Sequence, residues 1–107
     1  MYPVGYNQRV NYEIESTANY DKWFDGMKNR ISKARIVARL ARIEQGNFGD
    51  YKQLTEDLFE LRFTFGGGLR IYYTIRNSRV VLLLNGGKKS EQSQNIAKAK
   101  EILDQLE

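Results

Sequence analysis

Arg62, Arg70 and Tyr72 are the residue types in this chain best suited to binding a phosphate group. The planar guanidinium of arginine matches two phosphate oxygens at once, and a tyrosine can stack on a base or donate a hydrogen bond. A less specific interpretation is that Arg62 only pairs with an acid such as Glu60 on a solvated sheet face. Which interpretation holds depends on the elements that position these side chains.

A predicted β-hairpin carries all three residues. Residues 58–65 and 69–76 alternate apolar with polar side chains, and three consecutive glycines separate the two runs, a pattern typical of two strands joined by a short turn. A symmetric turn would place Arg62 opposite Tyr72, with Arg70 on the same face. The two guanidinium groups and the phenol would then form one patch.

A basic amphipathic helix is predicted over residues 27–44, which contain no acidic residue before the last position. Ile36, Leu40 and Ile43 recur at helical spacing, and Val37 fills the same side. The opposite side would carry a basic stripe that either contacts a polyanion or faces solvent. Its members are Lys28, Arg35, Arg39 and Arg42.

The remaining segments complete an α+β domain over residues 1–107. Residues 7–14 are predicted to form a strand, and Thr17 or Asn19 could cap a helix that contains Trp23. Residues 80–84 are expected to form a central strand that ends at two glycines. Residues 96–106 are expected to form an amphipathic helix. We expect the order β-α-α-β-β-β-α, with a curved antiparallel sheet packed by helices on one face.

The composition excludes several kinds of chemistry. The chain has no cysteine and no histidine, so disulfides, thiolate metal sites and histidine-based nucleophilic pairs are impossible. Seventeen lysines and arginines against thirteen acids give a net charge of +4, which favours a polyanionic partner. The N-terminal residues lack the pattern of a signal peptide and no apolar run could span a bilayer, so we expect a cytoplasmic protein without a membrane partner.

Five short motifs occur in an order that resembles a known group of proteins. They are the runs 35–40, 45–52 (QGNFGDYK), 60–62 (ELR), 68–73 (GLRIYY) and 83–92 (LLNGGKKSEQ). Together they resemble the addiction-module killer proteins, often called HigB-like, of the RelE/ParE toxin superfamily. The resemblance extends from about Trp23 to the C-terminus.

The resemblance implies a compact RelE-like toxin fold and an antitoxin partner, usually a small helix-turn-helix protein of the HigA kind. For RelE-like members it also implies ribosome-dependent cleavage of messenger RNA without a metal or other cofactor. In that reaction the ribose 2′-hydroxyl attacks the adjacent phosphate. Arginines and lysines can support this chemistry without histidine if the ribosome positions the strand.

The same resemblance implies roles for particular residues. Arg70, in the Gly-x-Arg-x-x-Tyr strand, would clamp the scissile phosphate, and Arg62 would share that role. Lys89, in the Gly-Gly-x-Lys-Ser motif, would protonate the leaving group or hold the phosphate. Lys52, in the Gly-Asp-x-Lys motif, would assist proton transfer or contact the RNA backbone.

The general base is not assigned by the resemblance. Some RelE-like enzymes have a tyrosine in the last segment, where this chain has Asn95, and an amide cannot accept a proton at neutral pH. Tyr72 or a lysine of lowered pKa would have to replace it. Lys88 stands where the group more often has an acid, and we expect it to bind RNA or the ribosome together with the basic stripe.

Two other functions are compatible with the sequence. One is that of a ParE-like toxin that inhibits DNA gyrase by binding, although such a protein has no need of a phosphate clamp. The other is that of a non-catalytic RNA-binding module, which would use the basic helix and exposed tyrosines.

Overall fold

The computed structural model describes residues 11–106. Its elements are β1 (Glu13–Ser16), α1 (Ala18–Asp25), α2 (Arg30–Glu44), β2 (Tyr51–Gln53), β3 (Phe59–Arg62), β4 (Leu69–Arg76), β5 (Val80–Lys88), a 3₁₀ turn (Lys89–Glu91) and α3 (Gln92–Leu106). The part of the first predicted strand before residue 11 lies outside the described residues. Within them β1 spans Glu13–Ser16, so it overlaps the predicted strand only at Glu13 and Ile14 and ends two residues later.

The five strands form one sheet in the order β1-β5-β4-β3-β2. The α+β class and the order of the predicted elements are confirmed, but the sheet is mixed, because β1 pairs with β5 in parallel while the other pairs are antiparallel. Two helices separate β1 from the rest of the sheet along the chain, so no hairpin turn fixes its direction. The short strand β2 was not predicted, since three exposed residues show no alternation.

Helices α1 and α2 pack on one side of the sheet, which we call the first face. Each begins with a side-chain cap: Thr17 accepts a hydrogen bond from the backbone N–H of Tyr20, and Asn29 accepts one from that of Ser32. The core of the first face consists of Tyr20, Ile36 and Ile43 from the helices and Leu61, Ile71, Tyr73, Val81 and Leu83 from the strands.

Helix α3 packs on the opposite side, the second face. Its buried residues Ala99, Ile102 and Leu103 form a separate core with Leu58, Tyr72, Leu82 and Leu84. The expectation that all helices cover one face is therefore wrong. The central strands β4 and β5 bury side chains on both faces, and a sheet buried on both faces needs a helical layer on each side.

Strand β5 continues through Gly86 and Gly87, where the sequence suggested that it ends. A β-carbon on Gly86 would lie 2.6 Å from the ring of Trp23, and one on Gly87 would overlap the amide of Asn95. The two glycines therefore allow α1 to approach the first face and α3 to approach the second, which is a reason for glycine inside a strand.

Across residues 11–106, no helix is both long enough and apolar enough to cross a membrane.

Candidate phosphate-binding site

Arg62 and Arg70 are direct Cα partners across β3 and β4. The predicted partner of Arg62 was Tyr72, so the predicted register is wrong by two residues. Tyr72 instead pairs with Glu60. The side chains of the two arginines therefore project from the second face next to each other, close to the turn that joins β3 and β4.

The turn explains the difference in register. The backbone N–H of Phe63 donates to the carbonyl of Leu69 at 3.0 Å, so the loop between them has five residues, 64–68. Its three glycines have φ values of +61°, +77° and +75°, a left-handed conformation that other residues rarely adopt. A symmetric three-glycine turn would have been shorter and would have moved every pair.

Glu60 lies at the centre of the cluster, and its side chain has no exposed surface. The Nε atom of Arg62 is 3.2 Å from its Oε1, and the Nε atom of Arg70 is 3.8 Å from its Oε2. The side-chain amide of Gln92, the first residue of α3, donates to Oε2 at 2.7 Å. The pairing of Arg62 with Glu60 is therefore real, but the carboxylate is buried and not on a solvated face.

The two arginines differ in how firmly they are held. The side chain of Arg70 is 11% exposed, and its Nη1 donates to the carbonyls of Gly68 and Leu69 at 3.2 and 3.3 Å. The side chain of Arg62 is 35% exposed, and its side-chain hydrogen bond to the described residues uses only Nε. The terminal nitrogens of Arg62 can therefore donate to an incoming anion.

Tyr72 is part of the same patch but has no exposed surface. Its hydroxyl has no hydrogen-bond partner among the described residues. Burial raises the pKa of Tyr72 above its ordinary value, and the negative charge of Glu60 acts in the same direction. Tyr72 therefore lacks what a base in contact with RNA needs, which is an exposed and readily deprotonated oxygen.

Lys52 and Lys89 lie at the rim of the patch, and both are exposed. Lys52 is the Cα partner of Glu60 on β2. Lys89 follows β5, and a β-carbon on Gly68 would lie 3.2 Å from the Cβ of Lys89 and 3.7 Å from Nη1 of Arg70. Lys52 therefore lies beside Glu60 on the outer strand β2, and Lys89 lies beside the turn next to Arg70.

Arg39 does not belong to an exposed basic stripe, so this prediction is wrong. It is only 8% exposed, and its guanidinium donates to the carbonyls of Phe48, Asp50 and Arg62 at 2.9, 2.7 and 3.0 Å. Burial and then the charge of Arg42 lower the pKa of Arg39 from its usual value. Gly49 has a φ of +70°, and a β-carbon there would lie 2.9 Å from Nε of Arg39. Arg39 therefore fixes the loop before β2 to the end of β3.

The other members of the predicted stripe are exposed but do not form one surface. Lys28 precedes α2, because the helix begins only at Arg30. Lys28 and Lys88 instead line a cleft of about 580 Å³ on the first face, together with Trp23 and Met27. Arg35 and Arg42 line a smaller hollow of about 190 Å³ beside Phe63 and Phe65.

The apolar side of α2 was also predicted incompletely. Its buried line consists of Ser32, Ile36, Arg39 and Ile43. Val37, predicted to lie on the apolar side, is 55% exposed, and Ile31 is 66% exposed. Helix α2 is therefore rotated about its axis relative to the predicted orientation. Arg39, whose guanidinium nitrogens all donate hydrogen bonds, occupies one of the buried positions.

Asn95 lies beside the site, where the family resemblance placed a tyrosine in some enzymes. Its backbone carbonyl accepts a hydrogen bond from the side chain of Asn85 at 3.0 Å. Within residues 11–106, no group of three or more carboxylate, histidine or cysteine side chains could hold a metal ion.

Two comparisons of sequence assign the chain to a family. The family described as phage derived protein Gp49-like (DUF891) matches residues 22–106. An uncharacterized protein of Haemophilus influenzae is 42% identical over 97 residues, which are 91% of this chain and 98% of that protein.

Solved structures with the same fold include toxins and toxin–antitoxin complexes. A double mutant of the E. coli toxin RelE in the free state matches with a TM-score of 0.70 at 15% identity, over 86% of this chain and 97% of that one. The intact E. coli RelBE complex gives 0.61 at 16% identity, over 72% and 95%. The RelBE2 complex of Mycobacterium tuberculosis gives 0.59 at 19% identity, over 76% and 94%. At these identities the structural likeness concerns the fold alone. The sequence matches place the chain in the phage-derived Gp49-like family, and it has the fold of the RelE toxins.

Proposed function

We propose that this protein is the toxin of a type II toxin–antitoxin pair, of the HigB-like kind, and that it cleaves messenger RNA on the ribosome. The observation that carries the proposal is the pairing of Arg62 with Arg70 on adjacent strands, with exposed Lys52 and Lys89 on either side. The Gp49-like family and the RelE fold support it. Four basic groups around one point on a sheet are suited to a phosphate that gains negative charge during reaction.

The reaction that fits these groups needs no metal and no cofactor. The ribose 2′-hydroxyl loses its proton to water as its oxygen attacks the neighbouring phosphorus and the bond from phosphorus to the 5′-oxygen breaks. The products are a cyclic phosphate and a free 5′-hydroxyl. Arg70 and Arg62 hold the non-bridging oxygens, which carry the developing charge. Lys89 supplies the proton that the leaving 5′-oxygen takes up.

Lys52 lies on β2, opposite Glu60 of β3 and away from the glycine turn. In the proposed reaction it assists proton transfer at the 2′-oxygen or holds the RNA backbone. Tyr72 has no part in this step, because its hydroxyl is buried.

The ribosome would supply the orientation that a small, open site lacks. Placing the 2′-oxygen in line with the leaving oxygen removes much of the entropic barrier. The exposed residues Lys28, Lys88, Arg35 and Arg42 are proposed to contact the phosphates of ribosomal or messenger RNA. Such a protein acts in the cytoplasm, where ribosomes translate.

The antitoxin would be a small helix-turn-helix protein encoded beside this one. A surface suited to it is the outer side of α2, where Ile31 and Val37 are mostly exposed and Arg35 and Arg42 are exposed nearby. Apolar residues within a charged surround are typical of protein interfaces.

The test is to express the protein in growing bacteria and to map new RNA 5′ ends, comparing wild type with Arg70→Ala. Arg79→Ala is the matched control, because Arg79 is exposed in the turn between β4 and β5, away from the cluster. New ends inside translated reading frames, present in wild type and the control and lost in Arg70→Ala, would support the proposal. Growth arrest with DNA damage and without new ends would replace it with gyrase inhibition, and ribosome binding without cleavage would replace it with simple RNA binding.

A further inference from the structure

The pairing of two arginines across neighbouring strands raises an electrostatic problem. Like charges directly opposite each other in a sheet repel and are destabilising. Arg70 is also largely buried, and a buried charge needs a partner. Glu60 supplies the opposite charge to both guanidinium groups, at 3.2 Å from Arg62 and 3.8 Å from Arg70.

Burying the carboxylate of Glu60 costs folding free energy, which suggests that the charge has a role at this position. The strand partner of Glu60 is Tyr72, a residue of the second-face core, and an apolar side chain at position 60 would avoid the desolvation of a charge. The carboxylate is held from two directions, by Arg62 on Oε1 and by Gln92 on Oε2. It is therefore a fixed anion, and the guanidinium groups are arranged around it.

The contacts leave part of each guanidinium free: both terminal nitrogens of Arg62 and Nη2 of Arg70 make no hydrogen bond to the described residues. Arg62 donates to Glu60 from Nε, whereas the buried Nε of Arg70 lies 3.8 Å from the carboxylate and has no hydrogen-bond partner within residues 11–106. Nη1 of Arg70 is tied to the carbonyls of the glycine turn. The terminal nitrogens of Arg62 remain for a ligand. A guanidinium that is already held by some of its nitrogens loses less conformational freedom when the remaining nitrogens bind a phosphate.

We propose that Glu60 is a positioning residue of the proposed nuclease site: anchored by Gln92, it holds Arg62 and Arg70 side by side so that both meet the scissile phosphate. This inference rests on the proposed function. Glu60 does not touch the RNA, because its side chain has no exposed surface. It acts by orienting the groups that do.

The first test uses the free protein and does not depend on cleavage. In protein labelled with ¹⁵N-arginine, the Nε–H signals of Arg62 and Arg70 are assigned by comparison with Arg62→Lys and Arg70→Lys. Glu60→Gln should shift both signals and should speed the exchange of the Arg62 Nε–H with water, because it removes the carboxylate to which Arg62 donates. Glu101→Gln is the matched control, because it also removes one carboxylate, from an exposed pair with Lys98, and should leave both signals unchanged. Unchanged signals in Glu60→Gln would overturn the proposal.

The second test measures cleavage on ribosomes programmed with a defined messenger, with rates corrected for the folded fraction. Glu60→Gln should lower kcat about tenfold or more, since misplaced groups lose most of their effect, and should change KM by less than about threefold, since the positive charges remain. Glu101→Gln should stay within about twofold of wild type in both. Wild-type rates in Glu60→Gln would contradict the proposal.

A pH profile separates positioning from direct proton transfer. The shape of the profile of kcat/KM should be the same in wild type and Glu60→Gln, at a lower height. Loss of the acid limb would show that Glu60 is itself the base and would overturn the positioning role.

If Glu60→Gln does not fold, Gln92→Leu keeps the carboxylate and removes its anchor. Gln92→Leu should shift the same two Nε–H signals and lower kcat, and wild-type behaviour in both would overturn the proposal.

The outcomes also distinguish this inference from the proposed function. Wild-type protein that does not cleave on ribosomes, with Nε–H signals that depend on Glu60, would refute the nuclease but retain the arrangement of the arginines. Wild-type protein that cleaves, with a Glu60→Gln variant that cleaves equally well, would refute the positioning role alone.

Discussion

Arg62 and Arg70 face each other across β3 and β4, yet they are held in different ways. Arg70 is tied to the carbonyls of its own turn and is 11% exposed, whereas Arg62 is 35% exposed. One arm of the arginine pair is therefore fixed before any ligand arrives, and the other can adjust to it. This difference makes Arg70 the more sensitive position for catalysis.

Arg70→Lys should lower the cleavage rate about 100-fold, because lysine keeps the charge but cannot donate to the carbonyls of the turn and to the phosphate at the same time. The measurement is single-turnover cleavage on programmed ribosomes. Arg79→Lys makes the same substitution in an exposed turn and should leave the rate unchanged. A wild-type rate in Arg70→Lys would show that charge alone suffices and that the separate donors of the guanidinium have no role.

Tyr72→Phe should retain cleavage on programmed ribosomes, because the buried hydroxyl cannot reach RNA. It should also leave the free energy of unfolding unchanged or slightly higher, since the hydroxyl has no partner among the described residues and removing such a group costs little. Loss of cleavage in a stably folded Tyr72→Phe variant would instead make this phenol part of the reaction.

Stability should fall in alkaline solution. Burial raises the pKa of Tyr20, Tyr72 and Tyr73 above the ordinary value of 10.0. The folded chain therefore holds these protons more tightly than the unfolded chain, so the free energy of unfolding is fully present below about pH 10 and decreases as the pH rises further. Tyr72→Phe should make the decrease shallower in chemical denaturation at a series of pH values. An equal slope in both proteins would contradict the raised pKa of Tyr72.

Arg39→Lys should lower the free energy of unfolding by about 3 kcal/mol, because lysine cannot satisfy three separated carbonyls and buried acceptors without partners are costly. Arg42→Lys, three residues along the same helix and exposed, should change it by less than about 0.5 kcal/mol. Chemical denaturation followed by circular dichroism gives both values. An Arg39→Lys variant of wild-type stability but weaker ribosome binding would restore the original interpretation of Arg39 as a surface contact.

Strands with a clear alternation were predictable, and so was the hairpin that carries the site. The pattern of residues 69–76 matches β4 as observed, because each side chain on a central strand meets either one core or the other. The register was not predictable to the same degree. It depends on the left-handed conformation of three glycines, and composition alone does not determine how many residues such a turn uses.

The centre of the site illustrates a second limit. Arg62 and Arg70 could be selected by residue type, but the sequence did not distinguish Glu60 from an acid on a solvated face. Only the packing of α3 on the second face, with Gln92 over the carboxylate, makes that position buried. The signal available in the sequence was an acidic residue in a strand between buried neighbours, Leu58 and Leu61. Arg39 was misassigned for a related reason, since three backbone carbonyls from distant segments stabilise it.

Val37→Asp should weaken binding of the neighbouring gene's antitoxin about tenfold or more, because a charge would be buried at an apolar contact. Ala97→Asp is the control, an exposed position on α3 away from α2. The measurement is titration of each variant with the purified antitoxin. Equal affinities for Val37→Asp and wild type would place the antitoxin elsewhere on the protein.

Gly86→Ala should destabilise the fold, because the new β-carbon would lie 2.6 Å from the ring of Trp23. Overpacking of this kind costs about 2 kcal/mol. Trp23 is the chain's single tryptophan, so the same variant should show a shifted emission maximum when its ring is displaced. Gly26→Ala is the matched control: Gly26 has φ −75° and ψ −10°, a conformation open to alanine, and its variant should stay within about 1 kcal/mol of wild type. Wild-type stability and fluorescence in Gly86→Ala would mean that the close approach of Trp23 is not what requires glycine at this position.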